Sequence, residues 1–435
     1  MPTSNAVENL ERSLRGVPVM KLAQGSGFRR RKPRKIGAWL FLKAICLLAL
    51  RPRPSLSLAA VLATLLGKKV VSRQGVWKRL GTAGAAFVRD VTHALVTVKS
   101  DARRLAQAGV FGAFGRVLIE DCTVLSLAPS LAKAFPGSAN QSGKKNAAAK
   151  VQTVYDLLAG RFLSFGIFPF TRNDQAAAPD ILTLARKSDL VLRDLGFFVL
   201  TVFRRMDQAQ VFFLSRLRHH VWIGTLDGKT FDLLGHLRRH GTFDAEVLLG
   251  KQEKVRVRLV AVPVSEATAA ERRRRLRQNR DKRLRPTGER LALLGWTLMI
   301  TNVTAQVWDA QTVCNVYRVR WRIEILFKAW KSHFGMAALP RASRGYVETL
   351  IWARLLLVVL LCPIFQEPFS RADPRPKPML SFLKTVRFLL LLLTHAWMPR
   401  LDHAPARLSQ ILRRLCAYDQ RHDRHCFPQA LHSLG

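Results

Sequence analysis

The spacing of hydrophobic positions changes several times along the chain, and each change predicts a different kind of element. Up to about residue 110 the sequence reads as helices joined by short turns, with an apolar helix over Ala38 to Leu50 after the cationic loop FRRRKPRKIG. Near 110 the texture turns β-rich. RVLIEDCT (Arg116 to Thr123) predicts a strand ending in acids, and the runs Lys150 to Leu158 and Arg161 to Phe170 around Gly160 predict a hairpin. Pro179 to Ser188 reads as a helix, and Leu190 to Leu192 as a strand leading into Asp194. Strand character returns over Val211 to Leu217, Val221 to Thr225 and Glu246 to Val264, where VRVRLVAV alternates with period two. Ser265 to Arg283 predicts a helix capped by Ser265 with Thr268, and Leu291 to Val303 a further strand. Beyond 341 the pattern is of Leu- and Arg-rich helices, broken by Pro368 and by the prolines from Pro374 to Pro378.

The most informative stretch is YRVRWRIEILFKAWK, Tyr317 to Lys331, which contains neither Pro nor Gly and reads as one helix. At about 100° per residue, Tyr317, Arg320, Glu324, Lys328 and Lys331 share an arc of roughly 80°. Val319, Ile323, Leu326, Phe327 and Trp330 take the adjacent face, the expected core side. A helix that presents one acid among Arg, Lys and Tyr suits phosphate: the acid can hold a hard cation while the bases hold a nucleic-acid backbone. On its own the stretch reads first as an amphipathic helix with ordinary i,i+4 ion pairs.

Charge narrows the partner. Lys and Arg number 71 against 29 Asp and Glu, a formal net charge of +42 in 435 residues. Such an excess self-repels unless a polyanion neutralises it, so nucleic acid or an anionic membrane is expected. The longest apolar runs, Leu355 to Phe365 (interrupted by Pro363) and Phe388 to Thr394, fall short of the ~20 residues that span a bilayer. A membrane partner is therefore not expected. The first 16 residues carry acids and no apolar core, unlike a secretory signal. The 6 cysteines form no CxxC pair and read as reduced thiols of a cytoplasmic protein. His422, His425 and Cys426, with Cys416, match no common zinc spacing. Between Arg272 and Arg283 eight bases face one acid, which points to phosphate contact.

The spacing Tyr317-x2-Arg320-x3-Glu324-x6-Lys331 resembles the Tyr-Arg-Glu-Lys signature of insertion-sequence transposases of the IS-four kind, a branch of the DDE transposases. That resemblance calls for two upstream aspartates at strand ends, one followed two residues later by Thr and one by x-Gly-aromatic. Asp121-Cys122-Thr123 and Asp194-Leu195-Gly196-Phe197 match, 73 and then 130 residues apart along the path to Glu324. Glu120 and Asp189 are rival acids that fit less well. The resemblance implies an α/β fold: a ribonuclease H-like catalytic domain (111–205 and 291–340) interrupted by a β-rich insertion (206–290). Helical regions flank it, a basic DNA-binding one at 1–110 and one at 341–435 suited to dimerisation.

If Asp121, Asp194 and Glu324 meet, their mutual repulsion requires divalent cations, and hard oxygen ligands select two Mg²⁺ ions, with Mn²⁺ able to substitute. The resemblance implies that such a site cleaves DNA at transposon ends and transfers strands into target DNA, in a homodimeric synaptic complex, in the cytoplasm at the nucleoid. Arg320, Lys328, Lys331 and Tyr317 are expected to contact DNA phosphates. Trp296 lies 21 residues before Tyr317, the offset at which a relative with this signature stacks a tryptophan on a flipped base. The competing reading is a catalytically inactive or repurposed transposase that only binds DNA, and metal-dependent cleavage separates the two.

Overall fold

The structure, a computed structural model, describes residues 14–99, 109–138, 146–278 and 286–370 (backbone alone from 362), with isolated positions between 383 and 390. The expectations placed on Pro374 to Pro378 and on His422, His425, Cys426 and Cys416 lie outside the described residues. The chain enters through helices α1 (Val19–Gly25), α2 (Ala38–Ala49), α3 (Leu56–Leu66), α4 (Arg73–Trp77) and α5 (Thr82–Lys99). Serine side chains start two of them: Ser55 accepts from the Leu58 amide at 3.2 Å and Ser72 from that of Gly75 at 3.1 Å. Strands β1 (Val117–Leu127), β2 (Ala147–Asp156) and β3 (Arg161–Pro169) follow, then the single turn α6 (Asp174–Ala177), β4 (Leu190–Arg193), α7 (Leu200–Gln208) and β5 (Phe212–Arg216). Next come β6 (Ile223–Gly224), α8 (Leu233–His240), β7 (Phe243–Leu249), β8 (Val255–Pro263), α9 (Glu266–Arg277), α10 (Gly288–Leu293) and β9 (Trp296–Thr301). Helices α11 (Ala310–Arg318), α12 (Trp321–Ser332) and α13 (Arg344–Ser370) close the described chain.

The strands form one nine-stranded mixed sheet in the order β3-β2-β1-β4-β5-β9-β8-β7-β6. Only β1–β4 and β4–β5 run parallel; the other neighbours are antiparallel. Alternation sorts side chains to two cores. Ile119, Leu190 and Leu192 join Ile323, Leu326 and Trp330 of α12 and the helices α2, α5 and α13 on one face. Leu118 and Val191 join Val202, Phe203 and Met206 of α7 on the other. All four residues of β4 are buried, as a parallel strand covered on both sides requires.

The predicted hairpin forms, with Gly160 at φ +59° in the turn, a conformation that a Cβ disfavours. Several local expectations are corrected. β1 runs on to Leu127, so Asp121 is not at its end; it sits just past Glu120, where the parallel pairing with β4 stops and pairing with β2 continues. Residues 179–188 form no α-helix: a 3-10 turn (Ala178–Thr183) is all that fits before β4. The run Glu246 to Val264 divides into β7 and β8, and the first residues of the expected strand at Leu291 belong to α10. The α13 backbone continues past Pro363 and Pro368 to Ser370, so neither proline ends it. Tyr317 to Lys331 is two helices rather than one. At the joint the amides of Val319, Arg320, Arg322 and Ile323 donate to carbonyls three residues back, the tighter 3-10 pattern.

Candidate active site

Three separate elements bring the acids predicted from the sequence to one place. Asp121 projects from β1, Asp194 follows the last residue of β4, and Glu324 lies in the first turn of α12. Between them stands Arg320, at the α11–α12 joint. Its Nη1 donates to Asp121 Oδ2 at 2.9 Å and its Nη2 to Glu324 Oε1 at 2.7 Å, while Asp194 Oδ1 is 3.7 Å from Nη2. Asp121 is the most enclosed of the three: its side chain is 13% exposed, against 42% for Asp194 and 37% for Glu324. Burial pushes the Asp121 carboxyl up to about 7, with the neighbouring Asp194 and Glu324 adding to the rise and Arg320 opposing it. Its other oxygen accepts from the Cys122 amide at 2.7 Å.

The two rival acids are structural. Glu120 is buried and ion-paired at 2.7 Å with Arg193, its partner in the parallel β1–β4 register, and Gln152 donates to it at 3.3 Å. Both Glu120 and Arg193 are fully enclosed, and burial lifts the Glu120 carboxyl to about 7 against the pull of Arg193. Each stands one residue before a motif aspartate, so this pair ties together β1 and β4 where they lead into Asp121 and Asp194. Asp189 is held by Arg116, whose Nε donates to it at 3.0 Å. Gly196 of the second motif passes so close to Asp174 that a Cβ would lie 2.7 Å from its carboxylate, which explains the glycine at that position. Asp174 in turn pairs with Lys150 at 2.7 Å.

The predicted core face of α12 and the preceding joint holds: Val319, Ile323, Leu326, Phe327 and Trp330 are buried. The predicted polar arc divides. Lys328 and Lys331, with Thr123 and Glu324, line an open cleft of about 490 Å³. Tyr317 faces inward instead; its hydroxyl donates to the Arg193 carbonyl at 3.2 Å, and burial lifts its pKa to about 12. The bend at the joint turns Tyr317 off the face that carries Glu324. Arg320 is directed to carboxylates rather than to open solvent. Trp296 opens β9, half-buried against the second core, and its indole N–H donates to the Gly241 carbonyl at 2.6 Å.

Residues 112–360 match the family described as transposase DDE domain. The chain belongs to this family. The transposases of insertion sequence elements IS231D and IS231B of Bacillus thuringiensis are 28% and 27% identical over 363 and 375 residues. The matches cover 78% and 81% of this chain, and 75% and 78% of those relatives. That of IS1151 from Clostridium perfringens is 24% identical over 70% of this chain and 68% of its own length. An overlay on the cryo-EM structure of the piggyBac transposase synaptic complex with hairpin DNA covers 92% of this chain and 82% of that one. It has TM-score 0.41 and 9% identity, too loose to carry an argument. The protein is thus a DDE insertion-sequence transposase, an enzyme of DNA cleavage and strand transfer whose partner is DNA and whose family uses divalent metal ions. Among the described residues no helix of this transposase is long and apolar enough to cross a membrane.

Proposed function

We propose that Asp121, Asp194 and Glu324 are the catalytic acids of this transposase, and that they hold two Mg²⁺ ions for which Mn²⁺ can substitute. One observation carries the reading: a single guanidinium touches carboxylates from all three elements. The donors are hard oxygens, which fit Mg²⁺ or Mn²⁺ rather than a thiophilic metal. The Arg320 guanidinium lies between them. Bound there, the ions supply the positive charge that activates an attacking oxygen and stabilises the leaving one.

The chain's own part is to orient. Asp121 and Asp194 each follow the last residue of the parallel β1–β4 pairing, so their relative position is set by backbone hydrogen bonds and by the Glu120–Arg193 pair. Lys328 and Lys331 hold DNA phosphates along the cleft beside Glu324. With water as nucleophile the product is a nicked strand with a free 3′-OH; with that 3′-OH as nucleophile the same site joins donor to target, and excision and insertion together are cut-and-paste transposition. The run β3-β2-β1-β4-β5, whose last strand lies past the expected boundary at 205, supports a ribonuclease H-like core over 111–216 and 291–340, with β6, β7, β8, α8 and α9 as its insertion. The basic N-terminal helices bind DNA, the region from 341 serves dimerisation, and a homodimer pairs two transposon ends. In a nicking assay on DNA carrying the element's ends with Mg²⁺, Glu324→Ala should reduce cleavage by about 10²-fold or more while end binding persists. Undiminished cleavage overturns the assignment.

A further inference from the structure

Among the ion pairs of the described residues, only Arg320 reaches the three acids. Arg193 is committed to Glu120 and Lys150 to Asp174. Arg320 itself is 7% exposed, its Nε has no hydrogen-bond partner, and its Nη atoms are held by the carboxylates beside the Tyr317 ring. Its stem leaves the backbone at the 3-10 joint, where the Arg320 amide donates to the Tyr317 carbonyl at 3.1 Å, and the guanidinium lies 5.8 Å from the centre of the Tyr317 ring. We propose that Arg320 is a built-in counter-ion, which gathers the three acids before metal arrives and is displaced when metal binds. The inference rests on the acid-triad reading above.

Electrostatics gives the direction of the exchange. Three partly enclosed carboxylates repel one another, and one guanidinium neutralises a single charge among them, enough to hold them together but leaving the site anionic and attractive to divalent ions. Once such ions occupy the carboxylates, a cation a few ångströms away is repelled by them and has lost its partners. A long, unbranched side chain anchored at a bend can then swing away, and the open cleft lined by Lys328 and Lys331 lies next to Glu324. There its fork of N–H donors suits a DNA phosphate. Arg320 therefore competes with metal in the free protein and becomes available to DNA only after metal binds, which couples the two loading events.

The test uses the full chain without DNA. Arg320→Gln should bind Mn²⁺, followed by its electron paramagnetic resonance signal, several-fold more tightly than wild type. In EDTA that variant should melt below wild type, and Mn²⁺ should close the gap. In the unaltered protein, modification of Arg320 by phenylglyoxal, read by mass spectrometry of its peptide, should be slow in EDTA and several-fold faster with Mg²⁺. Equal or weaker Mn²⁺ binding by a folded Arg320→Gln, or a labelling rate indifferent to Mg²⁺, overturns the proposal. If the variant does not fold in EDTA, the labelling of wild type decides. Asp121→Asn separates the two levels: Mn²⁺ binding as tight as wild type sinks the triad itself. Lost binding alongside failed Arg320 readouts sinks only the counter-ion.

Discussion

Arginine serves both the acid site and α9, but its bonds run differently in the two places. At the site, Arg320 reaches carboxylates carried by β1 and by the loop after β4, as well as the acid on its own helix. Along α9 the arginines from Arg272 to Arg275 are satisfied nearby. Arg272 donates to the carbonyls of Trp296 and Leu294 and to the Thr297 hydroxyl, and Arg273 to the Leu291 carbonyl and to Glu266. Arg274 and Arg275 both pair with Glu271, one residue before the stretch that looked so lopsided in charge. Part of that basic run is therefore a clamp fastening α9 onto the start of β9. Density of charge in a sequence says little about where the charge is directed, whereas residue types at fixed gaps on different elements report a geometry that only convergence explains.

The comparison can be broken in three ways. The strongest is Arg193→Met, which strips the enclosed Glu120 of its partner. Leaving a buried charge unpaired should cost about 3–5 kcal/mol in urea unfolding, and a cost within error of zero would mean that the pair does not tie β1 to β4. Arg272→Ala should cost about 1–3 kcal/mol by the same measurement, from the carbonyls and hydroxyl it leaves without a donor. It should leave the salt dependence of DNA binding unaltered, and a large loss of DNA affinity with unchanged stability would restore α9's arginines to the phosphate backbone. The third is a pH slope. Asp121 ionises near 7 in the folded protein and near the ordinary carboxylate value of about 4 when unfolded. Between those limits the native state binds more protons, so metal-free stability falls as pH rises through that window and levels off above it. Glu120, also lifted to about 7, slopes the same way, so the diagnostic is the difference between wild type and Asp121→Asn in EDTA melts. The variant should be flatter, and identical slopes would contradict the placement of Asp121.

Much of the site was legible because its motifs are short and their local rules strong. Thr123 two residues after Asp121 reaches the cleft, and Gly196 two after Asp194 makes room for Asp174. What escaped the sequence lies one position away: Glu120 and Arg193 precede the two aspartates, yet their pairing depends on parallel neighbours 73 residues apart, and only a register makes them partners. Tyr317 escaped for a different reason. Helical periodicity assumes an unbroken axis, and the 3-10 joint at Val319 and Arg320 rotates everything before it, sending the hydroxyl to Arg193. The indole of Trp296 likewise found a backbone acceptor in Gly241, 55 residues away in the chain.

By itself, then, the amino-acid order determined most kinds of element, the faces of α12 that are buried, the polyanionic partner and which three acids to look for. Those follow from local propensity, periodicity, net charge and residue spacing, all of which act or can be counted along the chain. Which cation stands among the acids, which rivals are buried in pairs and which arginines are spent on carbonyls were decided only on folding. A charged group's partner is whatever lies within a few ångströms in space, and that distance is a property of the sheet's strand order rather than of the sequence interval.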